Sequence, residues 1–224
     1  MYAKFNKTLS SYDYLVMFDL ASKLTGVCVW DVRNGRPVET SVIRVAGDDI
    51  PRVAKLYREI DLYFADLSTR IPMDRVLVCK EAMPSQVRGG SSTVQTFMAL
   101  ARSHAILDLY LYQHGFDVYD DVGVYPASTH AYCRKVMGLS ATEKVTKDTI
   151  RDCVYAHYGL SDLSYDESDA VFLASTLVDY KWNRDLDDEI RNTKRHLKEL
   201  VVDRARNACQ NKIEALEELK RKEA

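Results

Sequence analysis

The stretch Tyr14-Leu15-Val16-Met17-Phe18-Asp19-Leu20-Ala21-Ser22-Lys23-Leu24-Thr25-Gly26-Val27-Cys28-Val29-Trp30 decides the fold. Its first five residues form a short apolar run of β-favouring type, which predicts a buried central strand. A carboxylate, Asp19, follows at once. After a short link, Thr25 to Trp30 reads as a second strand. The Arg33-Asn34-Gly35-Arg36-Pro37 turn then leads into a third from Val38 to Val45. Three strands joined by short links predict an antiparallel meander.

Outward from the meander the hydrophobic period changes. Val53, Leu56, Tyr57, Ile60 and Phe64 recur at helical spacing and predict a helix from about Pro51 to Ser68. Arg75-Val76-Leu77-Val78-Cys79 predicts a fourth buried strand closing on Lys80-Glu81. A loop with Pro84, Arg88, Gly89 and Gly90 precedes a long helix, whose stripe of Val94, Phe97, Met98, Ala101 and Ala105 is expected to face the core. The opposite side of that helix carries Ala99, Ser103 and Ile106. A fifth strand is expected at Phe116–Tyr119, with helices over Ala127–Met137 and Lys147–Tyr158 ending at Gly138 and Gly159. Ser164-Tyr165-Asp166-Glu167 has the capping-box pattern and opens a further helix. This element order predicts an α/β protein of the ribonuclease H-like class, a five-stranded mixed sheet flanked by helices. Residues 183–224 contain no Gly or Pro and mix both charge signs with apolar residues at helical spacing. They predict a C-terminal amphipathic helical extension to a ribonuclease H-like domain at 1–182, suited to packing or partner contact.

Composition narrows the function. The 224 residues carry 31 Lys plus Arg against 33 Asp plus Glu, a formal charge of −2, so nucleic-acid binding has to rest on a local site. No apolar run approaches the roughly 20 residues that span a bilayer, and Met1–Ser11 has no apolar signal core, so a cytoplasmic protein is expected. The five cysteines are scattered without a CxxC pair, which argues against structural zinc and a disulfide framework and predicts small buried side chains, with Cys209 exposed.

The acids carry the chemistry. Asp19 and Glu81 each end an apolar strand, where a carboxylate is expensive to bury unless paired or bound to a cation. If those strands are parallel neighbours, both side chains emerge at one sheet edge. Asp166 and Asp169, three apart, share a helix face. Each also has a structural reading: Asp19 capping a turn through Ser22, Glu81 pairing with Lys80, and the two aspartates favouring a helix N-terminus. Together they make an all-oxygen donor set, which suits Mg²⁺ or Mn²⁺. Two such ions, roughly 3.5–4 Å apart, clamp the attacking and leaving oxygens of a phosphodiester hydrolysis.

Phe18-Asp19-Leu20-Ala21-Ser22-Lys23-Leu24-Thr25-Gly26 resembles the D-P-G-S-x-x-T-G segment of RuvC-type Holliday-junction resolvases. Val78-Cys79-Lys80-Glu81 is similar to that family's I-E strand, Ala99-Leu100-Ala101-Arg102 to its G-Q-A-R-G helix and Tyr125-Pro126-Ala127 to its Y-x-P/A loop. Thr142-Glu143-Lys144 with Lys147 resembles the G-x-G-x-A-x-K region, and Asp166-Glu167-Ser168-Asp169-Ala170 resembles D/H-x-x-D-A. The likeness runs colinearly over about residues 14–180. It implies a homodimeric Mg²⁺-dependent endonuclease, with two ions per site and Mn²⁺ as substitute, that cuts branched DNA at four-way junctions. By position Asp19, Glu81, Asp166 and Asp169 would be catalytic metal ligands, and Lys147, with Lys144 competing, would approach the scissile phosphate. Arg88 in the glycine-containing loop would contact the DNA backbone, although a plain connector is an equal reading. The segment D-L-A-S replaces D-P-G-S, and Ala82-Met83-Pro84 follows Glu81 where the family commonly has a stacking aromatic. Loss of a strong cutting-site preference is typical of the family's viral members, and a phage-encoded member acting in a host cytoplasm would suit this divergent, tailed chain. Two readings stand beside it: a related nuclease acting on flaps, forks or RNA–DNA hybrids, and a catalytically silent DNA-binding module.

Overall fold

Four of the six residues in Tyr14–Asp19 are buried, and that burial sets the architecture. This strand, β1, is central. It pairs antiparallel with β2 (Leu24–Asp31), which pairs antiparallel with β3 (Arg36–Arg44), and on its other side it runs parallel to β4 (Val76–Lys80). The short β5 (Asp117–Val118) completes a five-stranded mixed sheet of order β3-β2-β1-β4-β5. The computed structural model describes residues 9–21, 23–47, 49–83, 94–119, 123–182 and 203–223, with positions 187, 190, 191 and 194.

Strand alternation sends successive side chains to opposite faces. Val16 and Phe18 of β1 and Val76 and Val78 of β4 pack under α1 (Asp49–Ser68) and α2 (Val94–His114), in a core with Leu56, Ile60, Phe64, Leu107 and Leu111. Leu15, Met17, Leu77 and Cys79 pack on the other face. There α3 (Pro126–Met137), α4 (Lys147–Tyr158) and α5 (Tyr165–Thr176) supply Cys133, Ile150, Val154 and Phe172. The C-terminal helix α6 (Asp203–Glu223) lies beyond this three-layer body. Its Leu216 and Leu219 pack against Ile190, and Lys194–Glu217 and Lys220–Asp187 ion pairs flank that contact. As the sequence predicts, Cys28, Cys79, Cys133 and Cys153 are buried, while Cys209 is partly exposed.

The expected core stripe on α2 is reversed. Val94 is 67% exposed, Met98 47%, and Leu109 and Tyr112 45% and 83%. The buried face carries Ser103, His104, Leu107, Tyr110 and Leu111. Lys80, a buried cation at the end of β4, needs an anion, and Asp108 on α2 provides it. The inward face thus combines Leu107, Tyr110 and Leu111 with this ion pair, and the Val94–Met98 side is left outside.

Candidate active site

Sheet parity places the acids. Phe18 and Lys80 are registered partners in the parallel β1–β4 pair and face the α1–α2 side, so Asp19 and Glu81, one residue on, both face α3–α5. The backbone fixes Glu81 there, since its N–H donates to the Phe18 carbonyl at 2.8 Å. The Ala82 N–H donates to the Val124 carbonyl and the Val124 N–H to the Lys80 carbonyl, each at 2.8 Å. That turn requires Gly123, whose φ is +90° and whose added Cβ would fall 2.2 Å from the Lys80 carbonyl oxygen.

Asp166 and Asp169 arrive on α5. The helix begins with a formed capping box: the Glu167 N–H donates to the Ser164 hydroxyl, and the Glu167 carboxylate accepts from the Ser164 N–H at 3.0 Å. Glu167 also accepts from Thr40 of β3 at 3.1 Å, which ties the first turn of α5 to the sheet. Beneath that turn lies Gly26, the registered partner of Asp19, and a Cβ there would sit 2.0 Å from the Asp166 carbonyl oxygen. Only glycine lets the helix rest this low, and the low seat brings Asp166 and Asp169 to Asp19.

Lys147 opens α4, whose N-cap Thr146 forms its own capping box with Thr149. Its ammonium is 3.0 Å from Asp169 Oδ2 and 4.0 Å from Asp166 Oδ1. Asp19, Glu81, Asp166, Asp169 and Lys147 line one cleft of about 340 Å³. Lys144 is exposed and does not line it, and Arg88 lies outside the described residues.

The electrostatics are those of crowded acids. Burial pushes the Asp19 carboxyl well above the usual range, and the charges of Glu81 and Asp169 push it further. Burial raises Glu81 to about 6, against a hydrogen bond from Asp19. Crowding thus works against both carboxylates being charged at once. Asp169 is raised by burial although Lys147 opposes the shift. Burial works against the charge on Lys147, but its hydrogen bond to Asp169 and the surrounding acids hold its pKa above the ordinary value. Asp169 Oδ1 is buried without a hydrogen-bond partner. Among the described residues no three His, Cys, Asp or Glu side chains already stand at metal-holding distance. Instead Asp19 pairs with Glu81, and Asp169 with Lys147. An orphaned carboxylate oxygen beside two acids that resist ionising is nonetheless a donor set that fits a hard divalent cation.

Two residues of the cleft escaped the sequence reading. Thr129 and His130, from the first turns of α3, line it beside Pro126. The Thr129 hydroxyl is buried and unpartnered, and His130 is held below its ordinary pKa by burial and Arg134, with Asp169 opposing. The signal was helical spacing from Pro126, which places positions 129 and 130 on the turn above the proline.

No protein-family model matches the chain, and no curated protein does. Solved structures do. RuvC of T. thermophilus in complex with a Holliday junction substrate superposes with a TM-score of 0.53 at 14% identity, over 75% of this chain and 94% of that one. A second Thermus thermophilus RuvC structure gives 0.54 at 15%, over 75% and 95%. The fold is that of RuvC. The RuvC-like body of this chain spans nearly the whole of those proteins, and about a quarter of the chain lies outside the match.

Proposed function

We propose that the chain is a structure-selective DNA endonuclease that hydrolyses phosphodiesters at four-way junctions. The observation that carries the reading is the convergence of Asp19, Glu81, Asp166 and Asp169, from three separate elements, on one cleft at a sheet edge of a RuvC fold. Buried acids gathered at one place stay ionised together only where a cation offsets them. Here Asp19, Glu81, Asp166 and Asp169 would hold divalent ions, Mg²⁺ or Mn²⁺. When bound, the ions would supply an activated water and stabilise the leaving oxygen. Lys147, kept charged by its acidic neighbours, moves its ammonium from Asp169 to a non-bridging oxygen of the scissile phosphate and stabilises charge as it develops. Thr129 and His130 close the far wall and offer hydrogen-bond donors to the strand.

A second copy of the chain completes the reading. A four-way junction has two-fold symmetry and needs two cuts, and the exposed apolar stripe of Val94, Met98, Leu109 and Tyr112 on α2 is the surface this reading assigns to a two-fold dimer. In this reading residues 1–182 form the nuclease and 183–224 an added helical extension.

The test is cleavage of a synthetic four-way junction beside a fork, a flap and an RNA–DNA hybrid, with Mg²⁺, Mn²⁺ or Ca²⁺. The wild type is expected to cut the junction in paired strands. Asp19→Asn is expected to lose at least about 100-fold in cleavage rate while binding the junction as tightly or more tightly, since it removes negative charge without changing shape. Equal cutting by the two proteins would end the catalytic assignment.

A further inference from the structure

Arg52 is a buried cation without an anion. It lies in the first turn of α1, is 8% exposed, and makes no hydrogen bond or ion pair with any described residue. Three effects act against that charge. Burial limits its access to water, although its nitrogens are not sealed from solvent. Its position near a helix N-terminus sets it against the positive end of the helix dipole. A second cation, Lys23, lines the same small cavity. One anion would relieve all three.

The cavity shows what size of anion. About 10 Å³ is enclosed between Ala21, Lys23, Thr25, Arg52 and Ser103, which is room for one oxygen-sized group. Val45, Val53 and Leu56 complete its lining. Its place in the fold shows what brings the oxygen there. Ala21, two residues beyond Asp19, lines both this cavity and the acidic cleft. The two therefore lie back to back at one sheet edge, with the cleft on the α3–α5 face and Arg52 on the α1–α2 face.

Resting on the nuclease reading, we infer that Arg52 and Lys23 form a second backbone-phosphate subsite. A non-bridging oxygen of a phosphodiester near the one held at the acidic cleft enters the cavity and accepts from the guanidinium, while the Lys23 ammonium faces the same phosphate. The strand thus crosses the sheet edge, gripped on both faces. Arg52 positions DNA and takes no part in bond breaking.

The experiment titrates a labelled four-way junction with wild type, Arg52→Gln, Lys23→Gln and a control, Arg36→Gln, in EDTA across a range of salt. Arg36 begins β3, at the far end of the sheet from Asp19. Arg52→Gln is expected to bind about five- to tenfold more weakly, with the salt slope smaller by about 0.9. Its thermal midpoint should be unchanged or higher, because an unpaired buried charge has gone. Lys23→Gln, at an exposed site, is expected to shift the slope in the same direction, and Arg36→Gln to leave it alone. The subsite is overturned if Arg52→Gln keeps the wild-type affinity and slope, or if Arg36→Gln lowers both equally. If Arg52→Gln unfolds the protein, Lys23→Gln decides, and an unchanged slope there overturns it. A wild type that binds no DNA fails the nuclease reading and the subsite together, whereas a wild type that binds and cuts while Arg52→Gln binds identically fails the subsite alone.

Discussion

His104 and Lys80 meet under α2 as two basic groups in one buried place, and only one of them can be charged. Lys80 has Asp108 as counter-ion, so His104 is the one that stays neutral: burial, then the lysine charge, depress its pKa to about 4. A histidine whose folded pKa lies below its unfolded value of about 6.5 binds fewer protons in the native state than in the unfolded state between those values. Its contribution to stability is therefore complete above about pH 6.5 and is lost as pH falls towards 4. We expect wild type to lose roughly 2–3 kcal/mol more than His104→Gln between pH 7 and pH 4. Urea midpoints of the two proteins at both pH values check this, and parallel losses would contradict it. Comparing the variants cancels the opposing titration of the cleft acids, which both retain.

At the scale of elements, the low seat of α5 on β2 is the feature on which the cleft depends. Adding one methyl at Gly26 places a carbon 2.0 Å from the Asp166 carbonyl oxygen, and neither backbone is a flexible side-chain end that can swing away. Gly26→Ala is expected to lift the first turn of α5, cost about 1–3 kcal/mol and, by moving Asp166 and Asp169, slow junction cleavage about 100-fold. Thermal melts with single-turnover cleavage measure both, and unaltered cleavage would show that the helix seat does not matter. Sequence pattern exposed much of this arrangement. The meander, the strand-ending acids and the Ser164 capping box are local signals, written in alternation, apolar runs and side-chain caps. The orientation of α2 was hidden because apolar residues surround much of that helix, from Val94 and Phe97 to Leu109 and Tyr110, so periodicity alone does not choose a side. The choice is made by contacts distant in sequence: Leu107, Tyr110 and Leu111 pack with residues of α1 and the sheet, and Lys80 pairs with Asp108, 28 positions away. Thr129 and His130 were hidden for a related reason: only tertiary packing of α3 against α4 and α5 turns them into cleft residues.

At the scale of the molecule, the outward stripe of α2 and the C-terminal extension make separate demands. Charges at Met98 and Leu109 fall on surface already half exposed, so Met98→Glu with Leu109→Glu is expected to leave the circular dichroism unchanged. Light scattering should at the same time show a change from dimer to monomer. A wild type that is already monomeric would remove the stripe from the proposal. The boundary of the extension turns on Trp182. The ring is 2% exposed, belongs to the core shared with β1 and α5, and lies 5.4 Å from the ring of Tyr119 just after β5. Ile190, Leu216 and Leu219 form a cluster of their own. A chain ending at Tyr180 loses the indole and, with it, about 3–5 kcal/mol, a large share of the roughly 5–15 kcal/mol that holds a domain together. A chain ending at Trp182 gives up only the outlying cluster. Urea denaturation of the two truncations is therefore expected to place the longer one near the full-length midpoint and the shorter one far below it. Should both unfold alike, residues beyond 182 would be part of the nuclease body and not an addition to it.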